Sequence, residues 1–568
     1  MGLFQVLPPP IIDSVVRYLL RLPHKAQLLS SFTVATSNDE VKELYRTCRA
    51  WRHVALTIMF ARCQVVLGYN TSFTFNINES NPRIVNCLGS HLASYVKTIS
   101  MTIDYLSIVN GPVLSYLEHI YPAVCFPNAN SLTVDICIRG ARTDNMAPLQ
   151  PGLAEKIHAC IRKMIPAVKS SRVCIIDKHS TSLVVYPEQL RALVQGLAQA
   201  QRSCLWLNGS CRQPILECCV STRELTTLSC VWNENYAYIA RILYANAGPL
   251  VNLYLAYACF TDFVRLVVDE QGNPVVYPRL TTLLLSDQNA GDQERPPKLA
   301  GKAPFPQLRK LQSLIKYPFA DDTLFRDNSG SLESLYLMAD HKILRMLNGH
   351  GVFAKGRLRS LRKLTVADCI DEIDDVDPIT NTYMGVIGSV LDNLYELRAI
   401  DTDISGALTA SLFKKVQYQN LQVLSLYCSY LSLSEVVHLL QVLPSLRLLF
   451  NRVSGIGSTF RDANATEIAK IMRARFRPLN CNFKRWCITN TTFFPESVII
   501  ASILLVADAC PHLGSVILEN RPGDTTDCLF QRLLKSKLYA DFKDGFVPTM
   551  DHEYKKPVIH IKHILNDI

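Results

Sequence analysis

The chain has 568 residues, 48% of them hydrophobic and 19% charged, with 59 Lys and Arg against 49 Asp and Glu. That apolar content excludes a disordered chain and can fill a large core. A net charge of +10 is thin over such a length and permits an acidic partner without requiring nucleic acid. The longest apolar run, Val498 to Ala507, is about half of the ~20 residues a membrane-crossing helix needs, so no membrane partner is expected. No basic segment followed by an apolar core opens the chain, so no signal peptide is expected either. The 19 cysteines are scattered, never as Cys-x-x-Cys, and many lie in apolar runs. They read as buried, reduced thiols of a cytoplasmic or nuclear protein.

At the N-terminus, Leu7-Pro8-Pro9-Pro10 precedes Ile11, Ile12, Val15, Val16, Leu19 and Leu20. These spacings put one apolar face on a helix, and proline costs little at a helix start. Ser37-Asn38-Asp39 is a plausible N-cap for a second helix through Val41, Leu44, Tyr45, Cys48, Trp51, Val54 and Ala55. A third apolar stretch runs from Leu56 to Val66. Residues 1–65 therefore read as a small helical domain, distinct from residues 66–568.

Beyond about residue 90 a Leu-x-x-Leu-x-Leu pattern recurs. Its clearest copies start at Leu225, Leu250, Leu280, Leu332, Leu361 and Leu421, with weaker ones at Ala129, Leu308, Leu394, Leu446 and Leu513. From Leu225 to Leu446 the shortest step is 24 residues, Leu308 to Leu332, and the longest is 33, Leu361 to Leu394. That is the long end of leucine-rich-repeat spacing. Alternate residues of a strand share a face, so the leucines of each copy point inward together and are buried by stacking on neighbouring copies. Helical stretches at 236–246, 435–443 and 467–475 would return the chain between strands. The expected fold is a curved α/β solenoid, with parallel strands inside and helices outside. A doubly wound α/β sheet could also bury such strands. The punctuation Pro278-Arg-Leu280, Pro306-Gln-Leu308 and Pro444-Ser-Leu446 favours the repeat.

Two loops stand out. The Pro- and Gly-rich stretch 286–306 should be an exposed insertion. The acidic stretch Asp368 to Pro378 lacks the Asp-x-Asp-x-Asp-Gly spacing of a calcium loop and reads as a solvated segment. No nucleophile elbow, phosphate loop or His-Glu-x-x-His is present in the sequence. His560 and His563 lie in an apolar run without a Cys or carboxylate at ligand spacing. No catalytic residue, metal or cofactor is expected. Basic residues from Lys470 to Arg485 interleave with Phe476, Phe483 and Trp486. That mixture could bind nucleic acid, but an exposed repeat face is the favoured reading.

The N-terminal segment resembles an F-box in Leu7-Pro8, the apolar run from Ile11 to Leu20, and Cys48-Arg49-Ala50-Trp51-Arg52 followed by Val54-Ala55. It departs from that family in a longer connection, roughly 21–38. With the repeats, the chain is similar to the F-box and leucine-rich-repeat class, of the divergent sort abundant in fungi. The resemblance implies a substrate-recruiting subunit of a cullin–RING ubiquitin ligase. Leu7, Pro8, Ile11, Ile12, Val15, Leu19, Leu44 and Trp51 would hold a Skp-type adaptor, and the repeats would hold a protein target. The alternatives are an N-terminal cap shielding the first repeat, and a repeat scaffold with no ubiquitin link. Within each repeat, the residues between the leucines point to the opposite, concave face. Tyr254, Leu284, Tyr336, Lys363, Arg398 and Tyr427 are the candidate target contacts there.

Overall fold

The computed structural model describes residues 62–67, 96–104, 125–139, 152–178, 187–197, 201–208, 213–231, 236–256, 275–286, 304–316, 330–338, 341–354, 357–367, 394–400, 420–431, 433–453, 482–489, 512–519, 546–551 and 556–561, with a few single residues between them. The proposed adaptor contacts, Leu7 to Trp51, lie outside the described residues. So do most of the 286–306 stretch, the acidic stretch after Asp368, and Lys470 to Arg477. The chain divides into two compact units at about residue 280.

The first unit carries seven strands: β1 (Arg62–Leu67), β2 (Thr98–Asp104), β3 (Ser131–Arg139), β4 (Ser170–Lys178), β5 (Arg202–Asn208), β6 (Leu225–Val231) and β7 (Asn252–Ala256). Each pairs in parallel with the next in sequence. The described helices of the returns are α1 (Leu153–Met164), α2 (Pro187–Leu197), α3 (Gln213–Cys219) and α4 (Tyr236–Ala245). Each packs against the next. Strict sequential order is the signature of a repeat. A doubly wound sheet would reverse its order at a switch point.

The second unit carries β8 (Thr282–Ser286), β9 (Lys310–Lys316), β10 (Ser334–Met338), β11 (Lys363–Ala367), β12 (Glu396–Ile400), β13 (Val423–Leu431), β14 (Leu448–Val453), β15 (Arg485–Thr489) and β16 (Ser515–Glu519). These too are parallel and sequential. The described helices are α5 (His341–Gly349) and α6 (Leu433–Val442). Only the end departs from the pattern: β18 (Lys556–Ile561) lies antiparallel to β16, with β17 (Phe546–Asp551) antiparallel to β18.

Register stacks the pattern into rows. In the second unit the row Leu283, Leu311, Leu335, Leu364, Leu397, Leu424, Leu449, Trp486 and Val516 follows the strand partners one by one, and all nine are fully or almost fully buried. A parallel row of Leu308, Leu332, Leu361, Leu394, Leu421, Leu446, Phe483 and Leu513 is equally covered. In the first unit Met101, Val134, Val173, Leu205, Leu228 and Leu253 form the matching row. Each such side chain contributes roughly 1.5–3 kcal/mol of burial, available only because both neighbours are present.

The backbone locks the same register. At the start of each strand in the second unit, two successive N–H groups converge on one carbonyl of the preceding repeat. Those of Arg309 and Lys310 meet Thr281 O, those of Arg362 and Lys363 meet Glu333 O, and those of Lys484 and Arg485 meet Arg447 O.

The structure corrects two expectations. Phe483 and Trp486 are not surface aromatics: both are fully buried. Phe483-Lys-Arg-Trp486-Cys-Ile488 is a Leu-x-x-Leu-x-Leu copy with aromatic rings in the leucine positions. The 286–306 stretch is not exposed throughout, since Pro304 and Phe305 near its end are buried. Most described cysteines are buried free thiols, as expected, but Cys125 is exposed.

Candidate protein-binding face

The leucines occupy one side of each sheet, so the intervening residues fall on the other. In the first unit, register aligns Arg172, Cys204, Thr227 and Asn252 in one row of that face. Thr102, Asp135, Cys174, Trp206, Ser229 and Tyr254 form the next. Tyr254, expected from sequence, is half-buried there. Trp206 and Arg172 were not expected, and they organise the site.

The Arg172 guanidinium carbon lies 3.7 Å from the Trp206 ring centroid. The Trp206 and Tyr254 rings meet at 6.5 Å between centroids with planes tilted by 43°. Their strands are not adjacent, because β6 runs between them with Ser229 at the aligned position. A serine there leaves room for the two rings to meet across it. The result is a three-residue platform of cation, indole and phenol. Cation–π and tilted aromatic contacts of this kind are each worth on the order of 0.5–2 kcal/mol. Beside it, Asn252 Nδ2 donates to Thr227 Oγ1 at 3.0 Å.

Two donors of the platform are covered from solvent. Trp206 Nε1 and Arg172 Nε are buried and make no hydrogen bond of normal geometry.

The thiols in the row are inert. Burial pushes Cys174 up to about 12, with the neighbouring Asp135 adding to the shift. Burial likewise pushes Cys204 up to about 11, against a small opposing pull from the Trp206 indole and Arg172. Both stay protonated near neutrality and offer no thiolate nucleophile. Asp135 is raised by burial, opposed by the charge of Arg172. Among the described residues no group of three or more His, Cys, Asp or Glu side chains is placed to hold a metal. No described helix is long and apolar enough to cross a membrane.

In the second unit the corresponding face carries Leu284, Gln312, Tyr336 and Thr365 in one row, with Arg398 and Ser425 continuing it by register. Leu284 and Tyr336 are half-buried. Lys363 is exposed and bonds Glu396 at 2.9 Å. The side chains of Arg398 and Tyr427 lie outside the described residues, although their backbones sit on β12 and β13. Two outward positions are more covered than expected, since Glu396 and Ser425 are nearly buried. Tyr254 and Tyr336 belong to different units, so the six expected contacts do not form one described cluster.

A period-2 signal marks Trp206 in the sequence: Leu205-Trp206-Leu207 places it between two inward leucines. The copy opens on Ser203 rather than leucine, and this hides it.

No family model and no curated protein matches the chain. Among solved structures it is similar to a chain of the TLR13–ssRNA13 complex, at 14% identity and a TM-score of 0.35, over 71% of this chain and 58% of that one. It is also similar to a chain of the Rad7 and Elc1 complex from yeast, at 12% identity and a TM-score of 0.27, over 79% of this chain and 88% of that one. The chain thus spans little more than half the length of the TLR13 chain it matches.

Proposed function

We propose that the chain is a non-enzymatic recruiting subunit whose protein target docks on the first unit's face at Trp206, Arg172 and Tyr254. The observation that carries this reading is the platform itself. Trp, Tyr and Arg are the side chains binding hot spots favour, and here they stack together on the face opposite the core. A solvated strand face has no need of such a group.

The finer reading places the chain in the divergent fungal F-box class, acting in the cytoplasm or nucleus. Residues 1–65 would hold a Skp-type adaptor of a cullin–RING ligase, and the platform would present the target for ubiquitin transfer. Its support is the resemblance at Leu7-Pro8 and Cys48 to Arg52. The second reading, a repeat scaffold with no ubiquitin link, keeps the same target face.

Two measurements test these readings. Tyr254 replaced by photoreactive benzoylphenylalanine should crosslink a discrete protein in cells. The same group at Arg241, exposed on α4, should not. Equal crosslinking from both positions overturns the face. Purified Skp-type adaptor should bind the full chain and lose binding to Ile12→Asp at unchanged thermal midpoint. An adaptor that ignores the wild-type chain overturns the ligase reading and leaves the scaffold.

A further inference from the structure

Several strand starts of the second unit carry exposed positive charge, unevenly compensated among the described residues. Arg309 and Lys310 begin β9, and Arg309 faces Glu333 at 3.4 Å. Lys363 begins β11 and holds Glu396 at 2.9 Å. Further along, the compensation stops. Arg447 precedes β14, and Lys484 and Arg485 enter β15 directly beside it, since both of their N–H groups meet the Arg447 carbonyl. All three side chains are exposed. By register the flanking strands supply no carboxylate. Gln422 and Val423 lie on one side, Gly514 and Ser515 on the other.

Arg447 and Lys484 enter adjacent strands one residue before the Leu448–Arg485 pair, and like charges placed opposite one another destabilise a sheet. The fold does not need them there, because the inward positions of this repeat are already filled by Phe483 and Trp486. The surface beside them is apolar: Leu448 and Phe450 occupy the outward positions of β14 and are half-buried.

We propose that Arg447, Lys484 and Arg485, with Leu448 and Phe450, form a second docking surface, for an acidic peptide segment of a protein partner that also carries apolar side chains. Carboxylates would lie along the three cations and one apolar residue against Leu448 and Phe450. The buried rings decide against single-stranded nucleic acid, which needs successive exposed aromatics for its bases. This surface is separate from the Trp206 face, so the two succeed or fail independently.

The probe is a fluorescein-labelled dodecapeptide of repeated Asp-Glu-Phe, titrated against the full chain by anisotropy at two salt concentrations, with an oligothymidine of equal length in parallel. Binding should weaken with salt. Arg447→Glu with Arg485→Glu should lose at least tenfold in affinity. A charge-matched control, Arg345→Glu with Arg359→Glu, both exposed on the same unit, should lose less than threefold. Thermal midpoints are compared first, and Arg447→Gln with Arg485→Gln serves if the reversed variant does not fold. Equal losses in target and control variants overturn the site. Tighter binding of the oligothymidine than of the peptide overturns the partner class.

Discussion

Asn246 is the polar hinge of the first unit's core, and its removal has a calculable effect. The residue follows α4 and is fully buried. Its Oδ1 accepts from Leu225 N at 2.9 Å, and its Nδ2 donates to Thr222 O at 2.9 Å and Ile242 O at 2.8 Å. One amide therefore ties the end of a return helix to the first residue of β6. Asn246→Ala leaves the Leu225 N–H and the Thr222 carbonyl without this partner. At about 1–3 kcal/mol for each of the two orphaned buried groups, the expected loss is about 2–6 kcal/mol, with a small cavity term added. Asn246→Asp keeps the shape and the acceptor but turns a charged oxygen toward two carbonyls, and should be at least as damaging. The assay is urea unfolding followed by circular dichroism, with hydrogen exchange of the segment around residues 222–231. Both variants should lower the midpoint, and the Leu225 amide should exchange faster. A loss under about 0.5 kcal/mol with unchanged exchange would refute the reasoning.

Gly196→Ala should destabilise by about 1–3 kcal/mol, because a Cβ there would lie 2.7–2.9 Å from the His158 ring; calorimetry on the full chain checks it. His158 on α1 donates its Nε2 hydrogen to the Gly196 carbonyl on α2 and is held below its ordinary pKa chiefly by burial. The unfolded chain then binds the proton more readily, so stability is full above about pH 6.5 and falls as pH drops below it. Unfolding midpoints at pH 7.5 and 5 should show a larger acid loss for wild type than for His158→Gln, and an equal loss would contradict the assignment. Among the described cysteines, native-state alkylation at pH 7.5 should label exposed Cys125 first and leave Cys174, Cys219 and Cys230 unmodified; mass spectrometry of the labelled peptides reads this directly.

Much of the fold was legible because burial on a strand has period 2 and the leucines obey it. Leu335 and Leu337, or Leu364 and Val366, can be assigned inward without coordinates. The copies that escaped were those where another side chain does the same work. Phe483 and Trp486 fill leucine positions, and Trp486 also donates Nε1 to the buried Asn451 Oδ1 at 2.8 Å. Val96, Ile99 and Met101 do so at β2. The antiparallel β17–β18 pair carried no repeat signal, since closing a sheet needs only a strand willing to pair. The candidate face was legible in its direction but not in its centre. Inward positions must be apolar, whereas outward ones follow no rule until register sets Arg172 beside Trp206 and Ser229 lets Tyr254 reach it.

The most direct test of the target face is the equilibrium affinity of the protein crosslinked at position 254. It should be measured for wild type, Trp206→Ala and Arg241→Ala at matched thermal midpoints. A hot-spot loss of at least ~2 kcal/mol corresponds to about 30-fold in Kd. Trp206→Ala should lose that much, and Arg241→Ala should bind as wild type does. Equal affinities for all three proteins would contradict the account.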